Sequence, residues 1–468
     1  MMKRLMLLSL GLLCFSASAQ QAVSDPFAEL EAEIKAQEAE GSPEEMEKFK
    51  KWKDEYLAEY QKFRVEHFNK LDDIRDKLMS TWGEVEVSAE SKYVEYNEDN
   101  TTKTVLDFEK NEIRISVLNS STTEDKAELA QSQLNKLIED NQQSTGINET
   151  SVIGSLMGSE NNVSEVKAIF EEIKASPEVE KVEIKPEEIL AEQTSEIAKQ
   201  TEAQYQEIDK IFDMIESQNE IDDAKQLAAE NAKIKAEVLL VQQQEKERIE
   251  RLKKQTEALK AKTDKREVLT DKNITTYVIP LKNRKDTERA KPYFSQVKEE
   301  SSRFKLSPSL VFAVIHTESY FNPKAQSHVP AYGLMQIVPT TAGVDVNRFL
   351  FDKDAPMSAE NLYLADKNIE TGTAYLHILL NRYLKKIDDP ESRLYCAIAA
   401  YNTGSGNVAK TFNVDGSRNI SKAAKIINAL TPEEVYQQLL SNLPYEETRH
   451  YLERVSNRRA IYQFLDEI

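Results

Sequence analysis

One carboxylate in this chain stands where it could donate a proton in a reaction. Glu318 follows Leu310–Ile315, a run in which every residue is apolar, and precedes Ser319. A helix that is apolar on all sides belongs in a core, so its last turn carries Glu318 into poorly hydrated surroundings. There the ionised form is penalised and the proton is held more tightly, giving a general acid near neutral pH. The competing reading is a helix-terminal glutamate facing water. Other chemistries find less support. The five histidines show no metal-ligand spacing, and His316 reads as helix surface or packing. Cys396 sits in the apolar run Leu394–Ala400 and reads as a small buried residue. No metal and no cofactor are expected.

The residues around Glu318 sharpen the reading. Glu318-Ser319, Phe321-Asn322-Pro323, Ala325-x-Ser327, Ala331-x-Gly333-Leu334-Met335-Gln336 and Pro339-x-Thr341-Ala342 follow one another. Ala400-Tyr401-Asn402-x-Gly404 and Glu447-Thr448-Arg449-x-Tyr451-Leu452 come later in the same order. The series resembles the lytic transglycosylase module of bacterial cell-wall enzymes. Leu350-Phe351-Asp352 and Asn368-Ile369-x-Thr371-Gly372-Thr373-Ala374-Tyr375-Leu376 are similar to the subgroup of membrane-bound lytic murein transglycosylase C. The likeness is close over the last third of the chain and loose before it. Thr403, where the subgroup usually carries Gly, departs from it.

The resemblance implies a lysozyme-like helical fold and peptidoglycan glycan strands as substrate. It implies a single-glutamate mechanism, with Glu318 as acid and then base. Ser327 would stand near the acetamido group or Glu318, and Gln336 would contact saccharide. Met335 lines the cleft or packs in the core. Tyr401 and Asn402 begin a turn that closes over substrate, and Tyr451 hydrogen-bonds near the reacting sugar or packs between helices. Glycoside cleavage usually takes two carboxylates. Asp345, Asp352, Asp354 and Asp366 are available but lie in no such motif. A lysozyme-type hydrolase therefore stays open as a rival, as does a non-catalytic wall-binding scaffold.

The elements that must hold these groups read mostly as helix. Ser307-Pro308 looks like a cap and first turn for the central helix. Helices are expected over 359–383, 391–401, 421–430, 431–441 and 446–464. Further upstream, Ser42-Pro43-Glu44-Glu45 starts another helix. The period then changes, and 93–96, 104–108 and 113–118 read as strands, with a turn at Lys110-Asn111. Segments 182–184 and 276–279 could add two more. Residues 119–159 read as loop with one helix. From about 186 to 266 the chain is rich in Glu, Gln, Lys and Ala, and Leu227, Ile234, Val238, Val241, Leu252 and Leu259 make a loose heptad interrupted by Glu245 and Arg248. A helical hairpin or coiled-coil insertion follows. As a peripheral arm it would be dispensable for cleavage.

Composition bounds the rest. A net charge of −20 over 468 residues argues against a nucleic-acid partner and against docking on anionic lipid. Lys3-Arg4, the apolar run from Leu5 to Phe15 and Ala17-Ser18-Ala19 read as an export signal cut before Gln20. Leu13 stands before Cys14 where an acylation site wants a small residue, so a free periplasmic protein is favoured over an outer-membrane lipoprotein. The expected organisation is mainly α: a signal peptide at 1–19, an acidic helical segment at 20–82, an α+β domain at 83–288 containing the insertion, and a lysozyme-like module at 289–468. The insertion offers a surface for outer-membrane or cell-wall machinery. Oligomeric state is left open.

Overall fold

The computed structural model describes residues 43–118, 123–142, 163–183, 185–217, 224–264, 271–281, 286–327, 331–353 and 355–467. The export signal, Cys14, the Ser42 cap and Asp354 lie outside them. A long helix, α1 (Pro43–Trp82), leads into a sheet of β1 (Lys92–Tyr96), β2 (Thr102–Asp107), β3 (Glu112–Leu118), β4 (Glu178–Glu183) and β5 (Asp271–Pro280). Its order is β1-β2-β3-β5-β4, antiparallel throughout. The five expected strands are all present, each somewhat longer than read. The β2–β3 turn forms because the Asp107 carboxylate accepts the backbone N–H groups of Glu109 and Lys110 at 3.1 and 2.8 Å. Asn111 takes the left-handed conformation there, which Asn tolerates.

Helices α2 (Thr123–Gln142) and α3 (Val163–Ile173) cover one face of this sheet. Phe108, Ile113, Ile115, Phe170 and Tyr277 are fully buried between them. Partly buried Tyr320, which directly follows the Glu318 helix, packs against the same cluster. The sheet core and the helix that carries Glu318 are thus in contact.

The insertion forms a hairpin of α4 (Pro186–Ser217) and α5 (Ala224–Asp264). It is not a peripheral arm. Met79 of α1 packs with Ile189, Ile197, Leu252 and Leu259 of the hairpin. Inside this three-helix arrangement Arg248 donates to both oxygens of Asp72 at 2.9 to 3.1 Å and to Gln200 Oε1 at 2.6 Å. Arg75 donates to Asp72 at 2.7 Å, and the Arg248 guanidinium lies 4.6 Å from the centre of the Phe68 ring. Arg248, one of the two residues that interrupt the heptad, is therefore buried, and its charge is matched.

The remaining chain is helical: α6 (Asp286–Ala290), α7 (Phe294–Phe304), α8 (Pro308–Ser319), α9 (Ala342–Phe351), α10 (Ala359–Leu362), α11 (Ala365–Ile378), α12 (Pro390–Thr403), α13 (Ser405–Phe412), α14 (Ile420–Ile427), α15 (Pro432–Asn442) and α16 (Glu446–Tyr462). Helix α8 is central, and Ser309 to Thr317 are buried without a break. Ser307 stands at its N-terminus but its hydroxyl makes no cap bond. Asp466 does that work instead, accepting the Ser309 N–H at 2.8 Å and the Ser309 hydroxyl at 2.6 Å. A carboxylate there also suits the positive end of the helix dipole. The helix expected over 359–383 is broken after Leu362, whose carbonyl accepts from the Asn368 side chain at 2.7 Å. Its end widens into a π-turn at Leu379–Tyr383.

Candidate active site

Glu318 occupies the last turn of α8, and the backbone turns sharply just beyond it. Tyr320 and Phe321 both adopt positive φ, at 51° and 67°. Ser319, fully buried, fixes the turn by donating to the carbonyls of Ile315 at 3.0 Å and Leu334 at 2.8 Å. The acid helix is thereby tied to the loop containing Gly333-Leu334-Met335-Gln336.

That loop is held from behind by Asn368 of α11. Its amide donates to the carbonyls of Tyr332 and Leu362, both at 2.7 Å, and accepts the Met335 N–H at 2.7 Å. Gly333 has φ of +75°, and a Cβ there would lie 2.4 Å from the Leu362 carbonyl oxygen and 2.5 Å from Asn368 Nδ2. Only glycine fits. Asn368 is a positioning residue that the sequence pointed to only as part of a longer matching string.

Tyr451 of α16 donates to Glu318 Oε1 at 2.6 Å. Burial is the largest influence on Glu318, and it pushes the carboxyl up to about 8 against the opposing Tyr451 hydrogen bond. The negative charges of Glu90 and Glu447 add to the rise, and Lys210 opposes it. At neutral pH the protonated form dominates. His316, two residues earlier on the helix, is buried against Tyr462, its Nδ1 3.0 Å from the tyrosine oxygen. Burial and the charges of Arg458 and Arg289 push it down to about 3, so it is neutral and serves packing.

The other expected site residues fall into two groups. Tyr401 donates to the Met335 carbonyl at 2.8 Å, and its burial beside Glu318 holds the phenol protonated. Gln336, at φ of 48°, donates to the carbonyls of Ala325 and Gly333 at 3.1 and 2.8 Å. Its Oε1 is buried without a hydrogen-bond partner among the described residues. Of these, Tyr401 and Tyr451 lie beside Glu318, while Gln336 is fixed within the loop that Ser319 ties to the acid helix. Asn402 accepts from the Thr448 hydroxyl at 2.6 Å, joining two motifs. Met335 is fully buried and packs on Gly372, where a Cβ would lie 2.3 Å from the Met335 sulfur. Its side chain belongs to the core. The Ser327 N–H donates to the Ala331 carbonyl at 3.2 Å.

Of the spare acids, Asp345 is fully buried and accepts from Tyr383 at 2.8 Å, with burial raising its proton affinity. The carboxylates whose charge reaches Glu318 are instead Glu90 and Glu447, both on the exposed surface.

Comparison with known proteins finds two matching families. Residues 295–424 match the family described as Transglycosylase SLT domain. Residues 61–148 match the N-terminal domain of membrane-bound lytic murein transglycosylase C. The protein named membrane-bound lytic murein transglycosylase C from Serratia proteamaculans (strain 568) is 42% identical over 191 residues, covering 41% of this chain and 51% of that protein. Its namesake from Klebsiella pneumoniae (strain 342) gives the same figures. The 70 kDa soluble lytic transglycosylase of Escherichia coli is 27% identical, covering 38% of this chain and 25% of that one, with a TM-score of 0.29, a superposition too slight to bear on the fold. The chain spans about half the length of the curated relatives it matches. It carries a transglycosylase SLT domain of the lysozyme-like helical kind, behind an N-terminal domain of the membrane-bound lytic murein transglycosylase C type.

Proposed function

We propose that this protein is a peptidoglycan lytic transglycosylase that cuts the β-1,4 bond between N-acetylmuramic acid and N-acetylglucosamine without water. What carries the reading is Glu318, a protonated carboxyl with one oxygen held by Tyr451 and the other left for substrate. The acid gives its proton to the glycosidic oxygen as the C1–O bond breaks. The substrate's own N-acetyl group stabilises the positive C1. Glu318, now a carboxylate, takes the proton from the 6-hydroxyl of the same sugar, and that oxygen bonds to C1. The product ends in a 1,6-anhydro ring, and the glutamate is protonated again. The unpartnered Gln336 Oε1 accepts a hydrogen bond from the saccharide. Asn402, Ser327 and the Tyr401 ring border the groove. The envelope is the site of action, with export through the N-terminal signal and a mature chain beginning at Gln20.

A hydrolase on the same frame would need a second carboxylate to activate water. Asp345 is spent on Tyr383 in the core, and the carboxylates whose charge reaches Glu318 are the exposed Glu90 and Glu447. Digestion of isolated sacculi decides between the two by product mass. Anhydro ends, one water lighter than reducing ends, are expected from the wild type, and Glu318→Gln should fold and bind glycan yet cut almost nothing. Reducing ends from the wild type would make it a hydrolase.

A further inference from the structure

The turn behind Glu318 is held in a conformation that its residues disfavour. Tyr320 and Phe321 stand side by side at positive φ, 51° and 67°. Bulky side chains rarely adopt this backbone, and a pair of them persists only where the surroundings over-determine it. Phe321 is held inside the helical module. It is 1% exposed, with its ring stacked on Tyr293 at 6.3 Å and tilted on His316 at 5.6 Å. Tyr320 is held from two sides, and only one of them is the module.

On the module side, the Arg458 guanidinium of α16 lies 4.9 Å from the centre of the Tyr320 ring. Arg458 also donates to the Tyr320 hydroxyl and to the His316 carbonyl, both at 3.1 Å. That carbonyl accepts the Tyr320 N–H at 3.3 Å and closes the last turn of α8. Tyr451, two turns earlier on α16, holds the Glu318 carboxyl itself. One helix therefore grips both the acid and the turn behind it. On the other side, the Tyr320 ring packs against the apolar cluster of the sheet. A second tie runs from the β2–β3 turn, where the Asn111 side chain accepts from Arg289, and the Arg289 charge reaches His316. Strands β1–β3 and α2 fall within the match at 61–148 and Tyr320 within the match at 295–424. The contact thus joins two separately matched segments.

A general acid works only when its oxygen meets the leaving group in hydrogen-bond geometry, and a small misplacement costs rate out of proportion to its size. We propose that Tyr320 is a positioning residue: its ring, held between the sheet core and the Arg458 guanidinium, lets the α+β domain fix the turn that aims the Glu318 carboxyl. The proposal rests on the reading of Glu318 as the acid above.

The test uses the full-length protein on soluble, uncrosslinked glycan strands, with initial rates separated into kcat and KM. Tyr320→Ala removes the ring, and Tyr320→Phe restores it without the hydroxyl. Shown to be folded by its thermal transition, Tyr320→Ala should lose about tenfold or more in kcat with KM within about twofold. Tyr320→Phe should recover most of that loss. Asn111→Gly suits the positive φ of its turn and removes the Arg289 acceptor from the sheet side. It should lower kcat several-fold, again with KM unchanged, and it decides the matter alone if Tyr320→Ala does not fold. A folded Tyr320→Ala with wild-type kcat would overturn the proposal. So would a loss confined to KM, since the ring would then be a substrate contact, and so would equal losses in the Ala and Phe variants, since the held ring would then count for nothing. Asn111→Gly with wild-type kcat would remove the sheet from the account. A Glu318→Gln protein that still cut glycan would instead refute the acid reading, whatever the Tyr320 variants do.

Discussion

The Tyr451 hydroxyl and Glu318 Oε1 meet at 2.6 Å although they lie 133 residues apart in sequence. Two effects oppose each other there. A hydrogen bond to a carboxylate favours its charged form by about 1.5–3 kcal/mol, which is roughly one to two pH units. Loss of hydration at the end of the buried helix disfavours the charge. Burial wins, and Glu318 is raised to about 8. The tyrosine therefore trims the acid's proton affinity and orients its carboxyl.

A pH dependence follows. If Glu318 must start protonated, kcat/KM should fall as pH rises through about 8. Tyr451→Phe removes a donor that favours the carboxylate, so this limb should move to higher pH by about one unit, alongside a rate loss of about tenfold or more from lost orientation. Initial rates on soluble glycan across pH 5–10 read both. A limb that stays in place would mean the hydroxyl does not bear on the proton.

The same group should leave a mark on stability. Its proton affinity is raised on folding, so the stabilisation is fully present below about 4.5 and is lost as pH climbs towards about 8. Between those values the unfolded chain has released the proton that the folded one still holds. The slope should approach about 1.4 kcal/mol per pH unit. Chemical denaturation across this range should show the decline in the wild type. In Glu318→Gln the Glu318 component should vanish.

The helix that carries Glu318 was legible in the sequence because an unbroken apolar run is a local signal. The five strands were legible for the same reason, since their period of two is visible in short stretches. What the sequence hid was long-range. Arg248 looked like a fault in a heptad because its partner Asp72 lies 176 residues away. Asp466 takes the capping role expected of Ser307 from the far end of the chain. Met335 shares a motif with Gln336, yet its side chain turns inward onto Gly372 while the neighbouring amide bonds the Ala325 and Gly333 carbonyls of its own loop. Motif membership does not say which way a side chain points. The contact of Asp209 of α4 with Arg418 had no local signature at all.

The loop beside the acid should prove as fragile as its packing implies. Asn368→Ala strands the Tyr332 and Leu362 carbonyls and the Met335 N–H in a dry interior, at about 1–3 kcal/mol for each group that finds no water. Gly333→Ala places a methyl group against backbone at a positive φ. Both should lower the thermal midpoint by several degrees and reduce activity further than the stability loss explains, because the loop holds Gln336. A Gly333→Ala protein with wild-type activity and melting would contradict the close contact.

The bundle of α1, α4 and α5 sets a last expectation, on the order of three substitutions. Asp72 is buried between two guanidinium groups, Arg75 at 2.7 Å and Arg248 in a two-pronged contact. Removing one member of a buried pair costs about 3–5 kcal/mol, chiefly because a charge is left without its partner. Asp72→Ala takes the shared carboxylate from both guanidinium groups at once, leaving Arg248 with Gln200 alone and Arg75 with Asp76. Arg248→Met leaves Asp72 paired with Arg75 but frees the Gln200 oxygen it bound. Arg75→Met keeps the two-pronged pair and loses only one contact to Asp72 and one to Asp76. Destabilisation should therefore fall in the order Asp72→Ala, Arg248→Met, Arg75→Met. Because α4 is bound to both the bundle and, through Asp209, the module, denaturant unfolding followed by far-ultraviolet circular dichroism and by loss of activity should shift together in each variant. Were the hairpin a free arm, activity would survive all three substitutions and only the dichroism would change.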